Sequence, residues 1–358
     1  MKIVFFIGYY PEIIGGAQKQ ARLIYDELSK NNDIIYISYP YSKKYEIHEK
    51  TIYRLKLNNK FHRYTFYYIF MYKVYKILKK EKPDIVYQRV LNSFTFHLSR
   101  YCRKLNIPLI VHIADNYSLT FEKFNISSLI RKLFFKKIIK NKTYFICQTY
   151  YQKEMLEHHG VIPIDIIPNV YKKVNINIQP KNKRKYITWI GNVRPVKNIE
   201  LFLEVANNIK TKFKFCILGE ISNDSYGYKI LEMIESSNVV YHGLVNEDVI
   251  NKILSESLVL VNTSYSEGLS NTFIEAWMLG TPVISFNSNP NTYFSRYQLG
   301  FFCNGDKSLL LNYINKILNL DSSDFDKLSF NCYDFSLKEF DTDSVTKRIV
   351  NIFKMIKQ

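Results

Sequence analysis

Residues 264–280 read SYSEGLSNTFIEAWMLG. An apolar run, Leu258–Val261, leads into this stretch, and a second, Pro282–Ser285, follows it. Between them lies a polar loop with Glu267 and Gly268, then apolar residues at helical spacing over about 271–279. Ser270 stands at the N-cap position. Strand, loop, helix and strand in succession predict one repeat of a parallel α/β sheet. The N–H groups of the helix's first turn have no partner within the helix, so they form a site for an anion or a hydroxyl. Glu267 and Glu275 bracket that helix start. Each carboxylate accepts two hydrogen bonds in fixed geometry, which suits sugar or ribose hydroxyls. A bare pair of glutamates reads as two solvated side chains. Gly268, Ser270, Gly280 and Pro282 around this pair turn the balance towards a site.

The alternation extends in both directions. Strands are expected at Tyr186–Ile190, Phe213–Leu218 and Val239–Tyr241, with helices over 199–209, about 226–236 and 246–255. Before them, 165–185 breaks the pattern with Pro168-Asn169, Pro180 and the charge run Lys181–Lys185. In the first half, strands at Ile3–Ile7, Ile34–Ser38, Asp84–Tyr87, Leu109–Ile113 and Tyr144–Thr149 alternate with helical spacing over about 17–30, 65–80, 92–105 and 126–140. A chain of 358 residues is too long for one core to be the default. The expected fold class is α/β, two Rossmann-like doubly wound domains facing across a cleft, with ligands outside the carboxyl ends of the strands. The N-terminal domain is placed at 1–170, the linker at 171–185 and the second domain at 186–340. A closing helix over 341–358 has the N-terminal domain as its candidate packing partner.

Two more stretches bear on chemistry. Trp189–Asn198 reads WIGNVRPVKN. A strand ends at Gly191, where backbone can approach a ligand closely, and Arg194 and Lys197 follow. Two cations there suit a diphosphate leaving group; alone they read as an exposed pair at a helix start. Gly15-Gly16 follow the first strand, but no G-x-G-x-x-G occurs, which argues against a dinucleotide fingerprint. Two glycines alone mark a turn; between a strand and a helix they let N–H groups face a phosphate. Near the end of Leu109–Ile113, VHIADN brings in His112 and Asp115. Strand parity leaves open whether His112 faces the cleft or a helix-packing layer. Gln88 and Arg89 are a weaker case of the same kind.

In order and spacing these elements together resemble family 4 of the retaining glycosyltransferases, which have the GT-B fold. Glu267 and Glu275 look like that family's E-x7-E motif, Trp189–Asn198 like its G-R-L-x-x-x-K stretch, and Ile3–Gln18 like its first strand and Gly-rich loop. Ile167–Val170 (IPNV) and Thr281–Ile284 (TPVI) are weaker echoes. The resemblance implies a retaining, metal-independent hexosyltransferase. It would move a sugar from a UDP- or GDP-linked donor to a glycan or lipid-linked acceptor in surface polysaccharide or glycolipid synthesis. It implies that Glu275 holds the ribose hydroxyls. Glu267, with backbone over Gly268, Leu269, Ser270 and Asn271, would hold the donor sugar, and Lys197 would meet the diphosphate. Asn192 stands where the family has its Arg, and Arg194 is the candidate replacement. Gly16 would approach the diphosphate from the opposite domain. His112 would orient donor or acceptor, and Asp115 would help deprotonate the acceptor. Transfer would be front-face and ion-pair-like, with a donor phosphate oxygen assisting that deprotonation. The resemblance implies no cofactor; the donor is a substrate.

The net charge is +18, and it is uneven. Residues 1–185 carry 34 Lys and Arg against 13 Asp and Glu; the remainder carry 16 against 19. A basic half points to an anionic partner: lipid headgroups, nucleic acid or a phosphorylated substrate. Arg131–Lys142, RKLFFKKIIKNK, interleaves six basic residues with Leu, Phe and Ile. As a helix it would either lie on an anionic membrane or pack on the sheet with its basic edge in water. No nucleic-acid motif accompanies the charge, and no nucleic acid is expected. Five scattered cysteines have no metal or redox spacing and fit a reducing cytoplasm. His158–His159 reads as a solvated helix end. The N-terminal run reads as a strand rather than a signal peptide, and no run approaches a membrane span. The expected place is the cytoplasm, at the inner face of the plasma membrane. Three rival readings are a nucleotide-sugar epimerase of the same fold, a basic nucleic-acid-binding protein suggested by the charge alone, and a non-catalytic relative; Glu267, Glu275 and Lys197 argue against the third.

Overall fold

The structure, a computed structural model, describes residues 1–13, 15–39, 52–56, 67–121, 126–173 and 177–357. They form two compact units, Met1–Val170 with Thr342–Gln358, and Tyr171–Asp341.

The first unit contains β1 (Lys2–Phe6), α1 (Gly16–Leu28), β2 (Asp33–Ser38), β3 (Ile52–Arg54), α2 (Tyr68–Glu81), β4 (Ile85–Arg89), α3 (Thr95–Leu105), β5 (Leu109–His112), α4 (Ile126–Lys140), β6 (Thr143–Cys147), α5 (Tyr150–His158) and β7 (Asp165–Ile166). The second contains β8 (Tyr186–Ile190), α6 (Ile199–Asn208), β9 (Lys214–Leu218), α7 (Ser225–Glu235), β10 (Val239–Tyr241), α8 (Glu247–Ser255), β11 (Ser257–Asn262), α9 (Asn271–Met278), β12 (Val283–Ser285), α10 (Tyr293–Tyr297), β13 (Gly300–Phe302), α11 (Lys307–Asn319) and α12 (Ser322–Glu339). The closing helix, α13 (Thr342–Lys357), returns to the first unit.

Both sheets are parallel throughout. Their strand orders are β3-β2-β1-β4-β5-β6-β7 and β10-β9-β8-β11-β12-β13. β1 reads KIVFF without polar alternation because a parallel strand is buried on both faces. Its side chains divide with period two. Val4 and Phe6 join the core shared with α2, α3 and α4, whereas Ile3 and Phe5 join the core shared with α1 and α13. In the second sheet Val259 and Val261 pack with α6 and α7, and Leu260 packs with α9 and α12. Each strand order reverses beside its first strand, so each sheet has a switch point: β1/β4 in one, β8/β11 in the other.

Several boundaries differ from the sequence expectation. The strand expected to reach Thr149 ends at Cys147, because Thr149 caps α5 by accepting from Gln152 N at 3.2 Å. Tyr171 and the 177–185 stretch belong to the second unit. The Arg184 guanidinium is buried there, donating to Ser257 O, Gly280 O, Thr281 Oγ1 and Ser329 Oγ at 2.8–3.0 Å. Residues 174–176 of that stretch, and residues 65–66 of the helix expected over 65–80, lie outside the described residues. β3, β7 and β13 span two or three residues each, too short for any alternation to show.

Candidate active site

The second sheet's switch point gathers the two motifs. β8 runs out at Ile190 into Gly191–Lys197, and β11 runs out at Asn262 into the loop before α9. The two loops are laced together. Trp189 Nε1 donates to Thr263 Oγ1 at 3.0 Å, Thr263 Oγ1 donates to Lys197 O at 2.9 Å, and Tyr265 N donates to Val196 O at 2.9 Å. Lys197 sits on a short 3-10 turn, Pro195–Lys197, whose cap residue Asn198 has φ 48°. That turn brings the Lys197 ammonium onto Glu267 Oε1, which also accepts from Ser264 Oγ at 2.9 Å. Both partners are largely enclosed, so their attraction is screened less than that of a surface pair. Two residues far apart in the chain thus form one charged cluster outside the carboxyl ends of the central strands.

α9 begins where Ser270 predicts, with Ser270 in the N-cap position at φ −67°, ψ 133°. Its hydroxyl does not cap the helix; it lies 3.0 Å from Thr272 Oγ1. Leu269 is buried, Gly268 and Asn271 are half-buried, and the Gly268 carbonyl accepts from Ser288 Oγ at 3.5 Å. Glu275, one turn into α9, is 7% exposed. Arg194 and Asn192 are both exposed on the β8 loop. Beside them, backbone meets backbone: Gly219 has φ 142°, and a Cβ there would collide with the Gly191 carbonyl. Gly16, the first residue of α1 in the other unit, is exposed.

The first unit's candidates are placed differently. His112 is 0% exposed, and both ring nitrogens are engaged. Nε2 lies 3.0 Å from Ile167 O, which accepts only, so Nε2 carries the proton. Nδ1 is then the acceptor for Tyr87 OH at 2.7 Å and Arg89 Nη1 at 3.1 Å. Burial, and then the Arg89 cation, hold His112 well below the ordinary histidine range, against the pull of its bond to Ile167. A neutral imidazole so enclosed braces the crossover at 167–170. Arg89 is fully buried too, and it also donates to Asn169 Oδ1, which Gln148 Nε2 reaches at 2.8 Å. Gln20 completes the brace, donating to Val170 O at 3.0 Å and accepting from Val170 N at 2.7 Å. Asp115 is half-buried and accepts from Ser118 N at 2.7 Å. Burial raises its pKa and that hydrogen bond opposes the rise.

Sequence reading missed Thr263, Ser264, Trp189 and Gly219 at the switch point, and Gln20, Tyr87 and Asn169 in the brace. Trp189, Ser264 and Asn169 lay inside quoted stretches without being singled out; the others carry no local signal. Two Asp-x-Asp triplets, 324–326 and 341–343, lie away from these loops, on α12 and at its exit into α13. Among the described residues no group of three or more His, Cys, Asp or Glu is placed to hold a metal ion.

Comparison with known proteins identifies the family. Residues 184–319 match the model for glycosyl transferases group 1, and residues 14–171 match that for glycosyltransferase family 4. The UDP-Gal:alpha-D-GlcNAc-diphosphoundecaprenol alpha-1,3-galactosyltransferase of Escherichia coli is 28% identical over 314 residues, covering 80% of this chain and 75% of that one. The poly(ribitol-phosphate) alpha-N-acetylglucosaminyltransferase of Staphylococcus aureus is 23% identical over 294 residues, 79% of this chain and 58% of that one. Among solved structures, HepE of Anabaena in complex with UDP superposes with a TM-score of 0.80 at 14% identity, over 99% of this chain and 100% of that one. The lipopolysaccharide outer core galactosyltransferase WaaB superposes with a TM-score of 0.72 at 16% identity, over the full length of both. The chain belongs to the family 4, group 1 glycosyltransferases and has their GT-B fold.

Proposed function

We propose that this glycosyltransferase moves a hexosyl unit, with retention and without a metal, from a UDP-sugar to a lipid-linked or polymeric glycan in surface polysaccharide synthesis. One observation carries the reading: a lysine ammonium, a partnered carboxylate and a buried glutamate lie on the two loops and the helix of one switch point. Lys197 neutralises charge that grows on the diphosphate as the sugar–phosphate bond breaks, doing the work of a metal. Glu267, held in place by Ser264 and Lys197, accepts from hydroxyls of the donor sugar. Glu275 accepts from the ribose. With the Glu267 carboxylate already engaged by Lys197 and Ser264, a front-face transfer with a donor phosphate oxygen taking the acceptor proton is favoured. UDP is preferred to GDP because uridine diphosphate is named with the E. coli relative's donor and bound in HepE. That relative also names a diphosphoundecaprenol acceptor, which supports a lipid-linked acceptor and a place at the inner membrane face.

The test is a thermal-shift series with UDP, GDP, ADP and CDP on wild type, Glu275→Ala and Lys197→Ala. A nucleotide-selective rise in melting temperature, reduced in both variants, is expected, since a ligand stabilises by RT ln(1 + [L]/Kd). An equal rise in all three proteins places the nucleotide elsewhere. Transfer assayed with and without chelator, and the anomeric configuration of the product, decide metal use and retention.

A further inference from the structure

The helical layer over one face of the first sheet has an unusual surface. α2, α3 and α4 are neighbours in that order, joined by Tyr75 against Tyr101 at 5.0 Å and by Phe96 stacked on Phe134 at 4.5 Å. Their inner sides, Phe70, Val74, Leu98, Cys102, Phe135 and Ile138, share one core. Their outer sides expose Lys73, Lys76, Lys79 and Lys80 on α2, Arg100, Arg103 and Lys104 on α3, and Lys132, Lys136, Lys137 and Lys140 on α4. The only acid in the three helices is Glu81, at the end of α2 and paired with Lys2. Large apolar side chains stand out among the cations. On α2, Ile69 is 47% exposed and lies beside Tyr72; on α4, Leu129 is 60% exposed and Leu133 50%. Ile69, Tyr72, Lys73, Lys76 and Lys80 follow one helical stripe, as do Leu129, Lys132, Leu133, Lys136 and Lys140.

We infer that this α2–α3–α4 face docks the enzyme on an anionic lipid bilayer, with the cations at the headgroups and Ile69, Tyr72, Leu129 and Leu133 in the acyl boundary. The cations fit an anionic partner of any kind. The protruding aliphatic side chains favour a bilayer over nucleic acid, which is held mainly through its phosphates and through base faces stacked on aromatic rings. Cation stripes bordering an apolar ridge on two helices of one layer give a flat, extended contact rather than a pocket. The inference deepens the proposed function, because a lipid-linked acceptor is met at such a surface.

The test is sedimentation of the full chain with sucrose-loaded vesicles, of phosphatidylcholine alone or with one third phosphatidylglycerol, at 50 mM and 500 mM salt. Binding to the anionic vesicles at low salt, absent on neutral ones and weakened at high salt, is expected. Each lysine near the surface is worth about fivefold in partitioning, so K132E/K136E/K140E loses at least about 100-fold. L129A/L133A loses about tenfold, and its deficit persists at high salt. Absence of binding at 50 mM salt overturns the inference. So does binding unchanged in both variants, or a DNA duplex competing the protein off vesicles while L129A/L133A binds like wild type. The UDP thermal shift is measured on the same variants. An intact shift with lost sedimentation in these variants supports the docking face, and a wild type that sediments with anionic vesicles but shows no UDP shift refutes the proposed donor site alone.

Discussion

Replacing His112 by Gln should flatten the dependence of stability on pH, and the size of the effect follows from the brace. His112 Nδ1 receives Tyr87 OH and Arg89 Nη1, so a proton arriving there displaces two donors and sits beside a guanidinium 3.1 Å away. The folded state therefore refuses the proton, while the unfolded chain accepts it at an ordinary pKa near 6.5. The folded pKa is depressed, so the unfolded state binds more protons below pH 6.5 and stability falls as pH falls. The limiting slope is about 1.4 kcal/mol per pH unit, and an imidazole that stays neutral when folded costs about 1.6 kcal/mol between pH 6.5 and 5.0. Glutamine has no such equilibrium. Urea unfolding of wild type and His112→Gln at pH 7.5, 6.5, 5.5 and 5.0 should give stability curves that converge by that amount towards acid. Both tryptophans, Trp189 and Trp277, lie in the second unit, so the transition is followed by far-ultraviolet circular dichroism rather than tryptophan fluorescence. Parallel curves would refute the reasoning: His112 would then take protons as easily folded as unfolded.

Two other perturbations probe the backbone around the sites. Gly219→Ala puts a Cβ into the Gly191 carbonyl at φ 142°, so the β8 and β9 exit loops must separate. A loss of about 2–4 kcal/mol by tryptophan fluorescence, with a weakened UDP thermal shift, is expected, and a variant matching wild type in both contradicts the close approach. Gln20→Ala leaves both the N–H and the carbonyl of Val170 without their side-chain partner inside the protein. A loss of about 2–4 kcal/mol is expected, with faster hydrogen exchange at the Val170 amide; unchanged exchange there counts against the brace.

What could be read from the chain divides by the range over which each feature is built. α9 announces itself because everything that makes it is local: Ser270 at its start, Phe273, Ile274 and Trp277 at helical spacing, and Gly280 beyond its end. Glu267 and Glu275 were legible for the same reason. Lys197 could be proposed as a cation, but not as the partner of Glu267, because the pairing spans 70 residues and depends on β11 lying beside β8. The charge of the first half could be counted, yet its arrangement into one acid-poor helical face required knowing that α2, α3 and α4 are neighbours. His112 shows where pattern reading stops for a physical reason. In β5, Leu109 and Val111 join the core under α2, α3 and α4, and Ile110 joins the core under α1 and α13. Alternation therefore sends His112 to the second face with Ile110. In a parallel sheet covered on both sides each face is apolar, so nothing in the strand distinguishes one layer from the other. The deciding residues, Ile167 and Asn169, come from the crossover that closes over that face. Of two candidates three residues apart, His112 is thereby sealed as a neutral brace, while Asp115, beyond the strand's end, keeps part of its surface in solvent.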